Sequence, residues 1–386
     1  MQVTQIYSII NTVTQEVLGK SEVVAENLSN IVDVGTEIIN ANAVDNYVRS
    51  LVDHIGRVVF VDRAYRGSAP SVLMDGWEYG SVLEKITAEL PDATENESWN
   101  LQDKKSYDPN IFYKPQVSAK FFNKRVTFEI PMSFTEKQVK ESFSNVTQLN
   151  AFMSMLYNSI ENSMTVKLDE LVMRTINNMI GETMYADFND GNYSANSTAR
   201  CVNLLFLYNQ TVPEAEQLTA ENCINDPGFI RFAAYKMGVY TDRLTKMSTL
   251  FNVGGKARFT PADRLHFVLL SDFARSADVY LQSDTFHEEF TRLPNAERVP
   301  YWQGSGLAYD MGEITEINIT TASGHEVNPT GILGVMFDRD ALGVSNMDRR
   351  VTSNYNPKAE FYTNWYKMDA GYFNDLNENF VVWYVA

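Results

Sequence analysis

The sequence predicts an α+β fold, and three features carry the prediction. Residues 147–180 place Leu149, Phe152, Met153, Leu156, Ile160, Met164, Leu168, Leu171, Val172, Ile176 and Met179 at three- and four-residue steps, with neither Pro nor Gly before Gly181. Ahead of this run, Val126, Phe128, Ile130 and Met132 alternate with Thr127, Glu129 and Ser133, the period of a half-buried strand. The closing third breaks into short apolar runs divided by Gly, Pro and Asn, as strands are. With 386 residues, 44% hydrophobic and 21% charged, the chain can bury such a core without disulfides.

Taken in order, residues 1–60 form an N-terminal arm. Ile6, Ile9, Ile10, Val13, Val17, Val23, Val24, Leu28 and Ile31 recur at helical spacing, and Gly19 and Gly35 divide them into two or three short helices, followed by a strand at 58–61. Residues 61–125, with Pro70, Gly76, Gly80, Pro91, Asp92, Pro109 and Pro115, are too long for an ordinary connection, and a loop of that size usually has a job. Thr135 with Gln138 three residues on predicts a helix opening there. The apolar run of 147–180 then makes a rod roughly 50 Å long at about 1.5 Å per residue, whose stripe should lie along a sheet.

Residues 187–198, DFNDGNYSANST, are a turn-rich break. The next run, Ala199 through Asn209, fits either a buried strand or the start of a helix, and periodicity leaves both open. Helices are expected over 227–251, capped by Asp226, and over 261–277. Strands are expected at 314–320, 332–337, 360–368 and 379–385, and the terminal FVVWYV is apolar enough to be tied into a sheet.

The chemistry-bearing residues assemble into no recognisable site. With 32 Lys+Arg against 49 Asp+Glu the net charge is −17, a surface that repels phosphate and disfavours a nucleic-acid reader. Two cysteines, Cys201 and Cys223, suit a reducing compartment, and the opening residues lack a basic leader with an apolar core, so an intracellular product is expected. No stretch nears the roughly 18 apolar residues of a membrane span. His54, His266, His287 and His325 stand in no HExxH, CxxC or HxE context; His266 should be packed, and His287, beside Glu288 and Glu289, exposed. There is no GxSxG elbow.

Two partial motifs read as turns. In Gly254-Gly255-Lys256, Ala257 replaces the Ser/Thr of a phosphate loop and Leu250 stands where its first Gly belongs; after Asp187, the twelfth place of a calcium loop holds Thr198 rather than Glu. The carboxylate pairs Glu288/Glu289 and Asp338/Asp340 are expected on a solvated face. No catalytic, cofactor-binding or metal-ligating residue is assigned.

The order of parts, together with ARCVNLLFLYN at 199–209, FYTNWY at 361–366 and NENFVVWYVA at 377–386, resembles the major capsid protein of tailed bacteriophages, with the HK97-like shell fold shared by encapsulins. The resemblance implies a two-stranded extended loop at 61–125 reaching over a neighbour, a peripheral domain from 126–200 and 346–386 with 147–180 as its spine helix, and an α/β axial domain at 201–345. It implies a structural protein, not an enzyme: pentamers and hexamers forming an icosahedral head around double-stranded DNA that is held without sequence-specific binding. The expected partners are copies of itself, a separate scaffolding protein and a portal, with assembly in the bacterial host cytoplasm, no membrane and no cofactor. Lys85, Lys104, Lys105 and Lys114 lie in the extended loop, and no intersubunit cross-link is predicted from them. The rival readings are an encapsulin-like compartment loaded with enzymes, an acidic hydrolase working through carboxylates, and a tail or adhesion component, the last expected to show β-repeats that the sequence lacks.

Overall fold

The structure, a computed structural model, describes residues 69–74, 83–88, 91, 93–135, 146–189, 191–194, 196–282, 296–302, 316–321 and 324–386. The arm of residues 1–60, the strand expected at 58–61, the helix start after Thr135, His54, and the His287–Glu289 group lie outside them. In chain order the strands are β1 (Leu73–Met74), β2 (Leu83–Ala88), β3 (Val117–Phe122), β4 (Arg125–Thr135), β5 (Cys201–Asn203), β6 (Leu265–Leu270), β7 (Glu297–Val299), β8 (Ile319–Thr320), β9 (Glu326–Val327), β10 (Ile332–Asp338), β11 (Leu342–Asn356), β12 (Phe361–Asn374) and β13 (Phe380–Tyr384). The helices are α1 (Val146–Asp187), α2 (Leu204–Asn209), α3 (Pro227–Leu244) and α4 (Ser271–Gln282).

Helix α1, 42 residues and about 63 Å at 1.5 Å per residue, organises one half. Ile160, Met164, Leu168, Leu171, Val172 and Ile176 form its buried stripe. That stripe lies along a four-stranded sheet of order β1-β11-β12-β4. On β12 every second residue, Tyr362, Asn364, Tyr366, Met368 and Ala370, is buried, and Val126, Phe128, Ile130 and Met132 of β4 complete the covered face. The predicted alternation of β4 is therefore present and extends to Thr135. Buried Thr175 and Thr183 return their hydroxyls to the Leu171 and Met179 carbonyls, at 2.7 Å each, so the helix buries no idle donor there.

The second half is a five-stranded sheet of order β5-β13-β10-β6-β7. All seven residues of β10 and all five of β13 are buried, as in a sheet covered on both faces. Successive residues of β13 show the two covers: Trp383 meets Tyr240 of α3 edge-on at 4.8 Å, and Tyr384 meets Phe188, just past the end of α1, at 6.4 Å. Trp302 joins the halves, donating from Nε1 to the Ile332 carbonyl at 2.8 Å while its own carbonyl accepts from Asn177 of α1 at 2.7 Å.

Several expectations change. The run Leu265–Leu270 is strand β6, not helix, and the helix begins only at Ser271: a six-residue apolar run packed between β10 and β7 is satisfied by ladder bonds. Helix α3 has the predicted Asp226 cap, whose carboxylate accepts from Phe229 N at 2.7 Å, but ends at Leu244 because residues 248 and 258 pair and Thr260 N donates back to the Leu244 carbonyl. Residues 199–209 supply both open alternatives, β5 and then α2, with Asn203 capping the helix by accepting from Phe206 N at 3.0 Å. Strand β11 was not foreseen, β12 runs on to Asn374, and of the strand expected at 314–320 the described residues 316–320 are strand at Ile319–Thr320, while 314 and 315 lie outside the described residues. The terminal strand joins a sheet as expected, but β13 pairs with β10 and β5 in the five-stranded sheet, not with the four-stranded one.

Candidate assembly interface

The residues that might have carried catalysis are occupied by folding. Cys201 and Cys223 are buried and not bonded to each other; burial raises the Cys201 thiol far above its ordinary range and pushes Cys223 up to about 12, the reverse of an activated thiolate. His266 stacks on Phe337 and burial lowers its pKa; His325 stacks on Tyr185 at 4.5 Å. Asp338 accepts from the Thr260 hydroxyl at 2.7 Å in the interior, while Asp340 pairs with Arg264 outside, so the two share no cleft. Past the end of α1, Gly191 N donates to the Phe188 carbonyl at 2.9 Å with Gly191 at φ +74°, and Asp187 holds the Arg200 guanidinium rather than a metal ion. Among the described residues no group of three or more His, Cys, Asp and Glu could hold a metal ion, and no helix is long and apolar enough to cross a membrane.

The unusual feature is the extended loop. Strands β2 and β3 pair antiparallel with Ile86 opposite Ala119, Ala88 opposite Val117 and Glu84 opposite Phe121. These residues share one face by the two-residue period, and it points to solvent: Ile86 and Phe121 are each 64% exposed. The connection between the strands continues the pattern with Trp99, Ile111, Tyr113 and Phe112, the last 85% exposed. Its turns are held locally, by Asn96 capping Ser98 N at 2.8 Å and by Gln102 N donating to the Tyr107 hydroxyl at 3.0 Å.

The opposite face carries the charge and turns inward. Lys85 and Lys120 stand directly across the ladder, a repulsive arrangement unless anions intervene. Asp375 supplies one: its Oδ2 accepts from Lys85 at 2.8 Å and its Oδ1 from Lys120 at 2.7 Å. Glu378 takes Lys85 as well, at 2.8 Å, and Arg258 at 3.3 Å. The Asp375 side chain is only 2% exposed, and burial raises its pKa, but the hydrogen bonds from Lys120 and Lys85 outweigh this and hold the carboxyl below its ordinary value.

Asp375 and Glu378 lie in the turn joining β12 to β13, where the two sheets meet. Asp375 N donates to the Ala341 carbonyl at 2.7 Å and Gly254 N to the Leu376 carbonyl at 2.8 Å. A Cβ on Gly254 would stand 1.9 Å from Asn377 Oδ1, so the glycine pair that imitates a phosphate loop is the turn expected, and it seats the 375–378 turn. Phe122 packs on Phe373 at 5.0 Å beneath the hairpin, and Ser71 is gripped by Glu297 through both carboxylate oxygens, at 2.9 and 2.6 Å. Sequence reading assigned Lys85 no role; its partners lie 290 and 293 residues away, and no local pattern could have named them.

A long helix laid along a four-stranded sheet, a five-stranded sheet joined to it through Trp302, and a hairpin with an exposed apolar face define the subunit. The fold is similar to that in the capsid structure of Staphylococcus phage Andhra, with TM-score 0.50 and 12% identity over 84% of this chain and 86% of that one. The chain belongs to the Phi29-like phage major capsid protein family, whose model matches residues 10–384. Over 187 residues it is 22% identical to the major capsid protein of Bacillus phage GA-1, and over 188 residues 24% identical to that of Bacillus phage B103. Each match takes in 47% of this chain but only 38% and 40% of those proteins' lengths, so the chain spans about two fifths of the curated relatives it matches. The family is structural; the hydrolase and encapsulin readings are set aside.

Proposed function

We propose that this chain is the repeating subunit of an icosahedral phage head, closing through pentamers and hexamers around double-stranded DNA. The observation that carries the reading is the inverted hairpin: its lysines face the body and its apolar side faces water. A monomer gains nothing from exposing Ile86, Val117, Phe121 and the Phe112 region together, whereas a neighbouring copy would bury them. Head-to-tail contacts of this kind close into rings when the rotation closes.

In this reading α1 with the four-stranded sheet is the peripheral domain, and the five-stranded sheet with α3 and α4 is the axial domain around the capsomer centre. A scaffolding protein and a portal serve as assembly partners in the host cytoplasm. The charge of −17 suits a container whose wall releases its DNA, since a wall that neutralised many phosphates would hold it. Negative-stain microscopy of the expressed chain, with and without scaffolding protein, tests the proposal. Polyhedral shells, tubes or five- and sixfold rings are expected, and a chain that stays monomeric at high concentration with scaffold present refutes it.

A further inference from the structure

We infer that Lys85, Lys120, Asp375 and Glu378 form a sliding latch that sets the angle at which the hairpin leaves the body. Three features of the geometry support it. Lys85 Nζ sits 2.8 Å from both Asp375 and Glu378, and 3.1 Å from the Asp340 carbonyl, so it is shared rather than committed to one acceptor. Asp375 grips the hairpin on both strands, one oxygen to each lysine. The acceptors belong to the turn between the two sheets, fixed by backbone bonds to Ala341 and to Gly254, so the body supplies a rigid anchor and the hairpin the moving part.

A tilt of the hairpin about the Phe122–Phe373 contact would carry the Lys85 ammonium from one carboxylate toward the other. At no point on that path is a charge stripped of its partner, and the alternative, a buried carboxylate with no cation, is strongly disfavoured. Arg258 also donates to Glu378, at 3.3 Å, so that carboxylate has a second cation to compensate it when Lys85 leaves. The device therefore permits a small range of angles and resists detachment. Such a range is what one sequence needs to meet neighbours at slightly different angles in five- and sixfold surroundings; that consequence rests on the shell reading, while the latch is a property of the single chain.

Hydrogen–deuterium exchange on the unassembled 386-residue chain tests the latch, independently of whether shells form. In Lys85→Met/Lys120→Met, amides of 83–88 and 117–122 should exchange at least about tenfold faster, with β10 and β13 unchanged. In Lys85→Arg/Lys120→Arg, which keeps both charges, the hairpin should stay within about threefold of the natural chain. Unchanged hairpin exchange in the methionine variant overturns the inference. So does acceleration spread evenly through β10 and β13, or a chain that no longer folds by circular dichroism, because the cluster would then be holding the body together rather than the hairpin to it.

Discussion

Replacing Phe112 and Phe121 by serine separates the stability of the subunit from the strength of its contacts. Phe112 is 85% and Phe121 64% exposed in the single chain, so folding already leaves most of each ring in water. Fully burying a large apolar side chain contributes roughly 1.5–3 kcal/mol, so covering the exposed fractions of the two rings in a neighbour's surface contributes about 3 kcal/mol, or about a hundredfold in the association constant. The same substitutions should change the stability of the unassembled chain by no more than about 0.5 kcal/mol. Light scattering against protein concentration, at fixed scaffold, gives the concentration at which shells form, and a urea titration of the unassembled chain gives its stability. The expected result is an assembly threshold raised about a hundredfold with an unmoved urea midpoint. An unmoved threshold refutes the assignment of this face to a subunit contact, and a large loss of stability would show that the rings serve the fold.

The remaining predictions concern the body. Gly331 has φ +73°, and a Cβ there would lie 1.8 Å from the Val385 carbonyl oxygen, beside the bond from Val385 N to the Gly331 carbonyl; Gly331→Ala should cost about 2 kcal/mol or more in urea unfolding and loosen β13 first in hydrogen exchange. Trp302→Phe keeps an aromatic side chain but removes the indole N–H donated to the Ile332 carbonyl and part of a buried ring, and should cost about 1–3 kcal/mol, read from the same titration. Asp375 has its pKa depressed when folded, so its contribution to holding the hairpin is complete above the ordinary carboxylate range and lost as pH falls through the lower folded value; limited proteolysis in the 89–116 connection should stay constant from pH 7 to about 5 and rise below about pH 4. With both thiols buried and their pKa values raised, iodoacetamide at pH 8 should label Cys201 and Cys223 only as the chain unfolds, and mass spectrometry should find them unmodified in the native protein.

What could be read from the sequence was whatever depends on local periodicity. The stripe Ile160, Met164, Leu168, Leu171 and the alternation Val126, Phe128, Ile130 each name one apolar face, and each face found the other. The Asp226 cap was legible because its partner is three residues away. Leu265–Leu270 was not, since a short run apolar on all sides suits a strand between two others as well as a buried helix turn. Strand β11 escaped for the opposite reason. Its far half, with Arg349, Arg350, Thr352 and Ser353, carries little apolar signal because cross-strand pairs such as Arg350 with Asp369 hold it instead of a core. The placement of β13 was hidden because an all-buried strand carries no mark of which sheet will bury it.

The hairpin marks a different boundary, between what a chain encodes for itself and what it encodes for its assembly. Along β2 the residues Leu83, Glu84, Lys85, Ile86 and Thr87 read as an ordinary amphipathic strand, and the ordinary inference would put Ile86 inside and Lys85 in water. The structure reverses this, because Asp375 and Glu378 give Lys85 and Lys120 a buried counter-charge that only the folded turn between the sheets can provide. Once the lysines are drawn inward, the two-residue period leaves Ile86, Val117 and Phe121 no direction but outward. The buried ion pairs thus do more than fasten the hairpin: they fix the register in which its adhesive side is presented. A Lys85→Ile/Ile86→Lys exchange should therefore leave Asp375 with Lys120 alone and set a lysine among Val117 and Phe121 on the outer face, raising the assembly threshold in light scattering while hydrogen exchange in β10 and β13 stays unchanged.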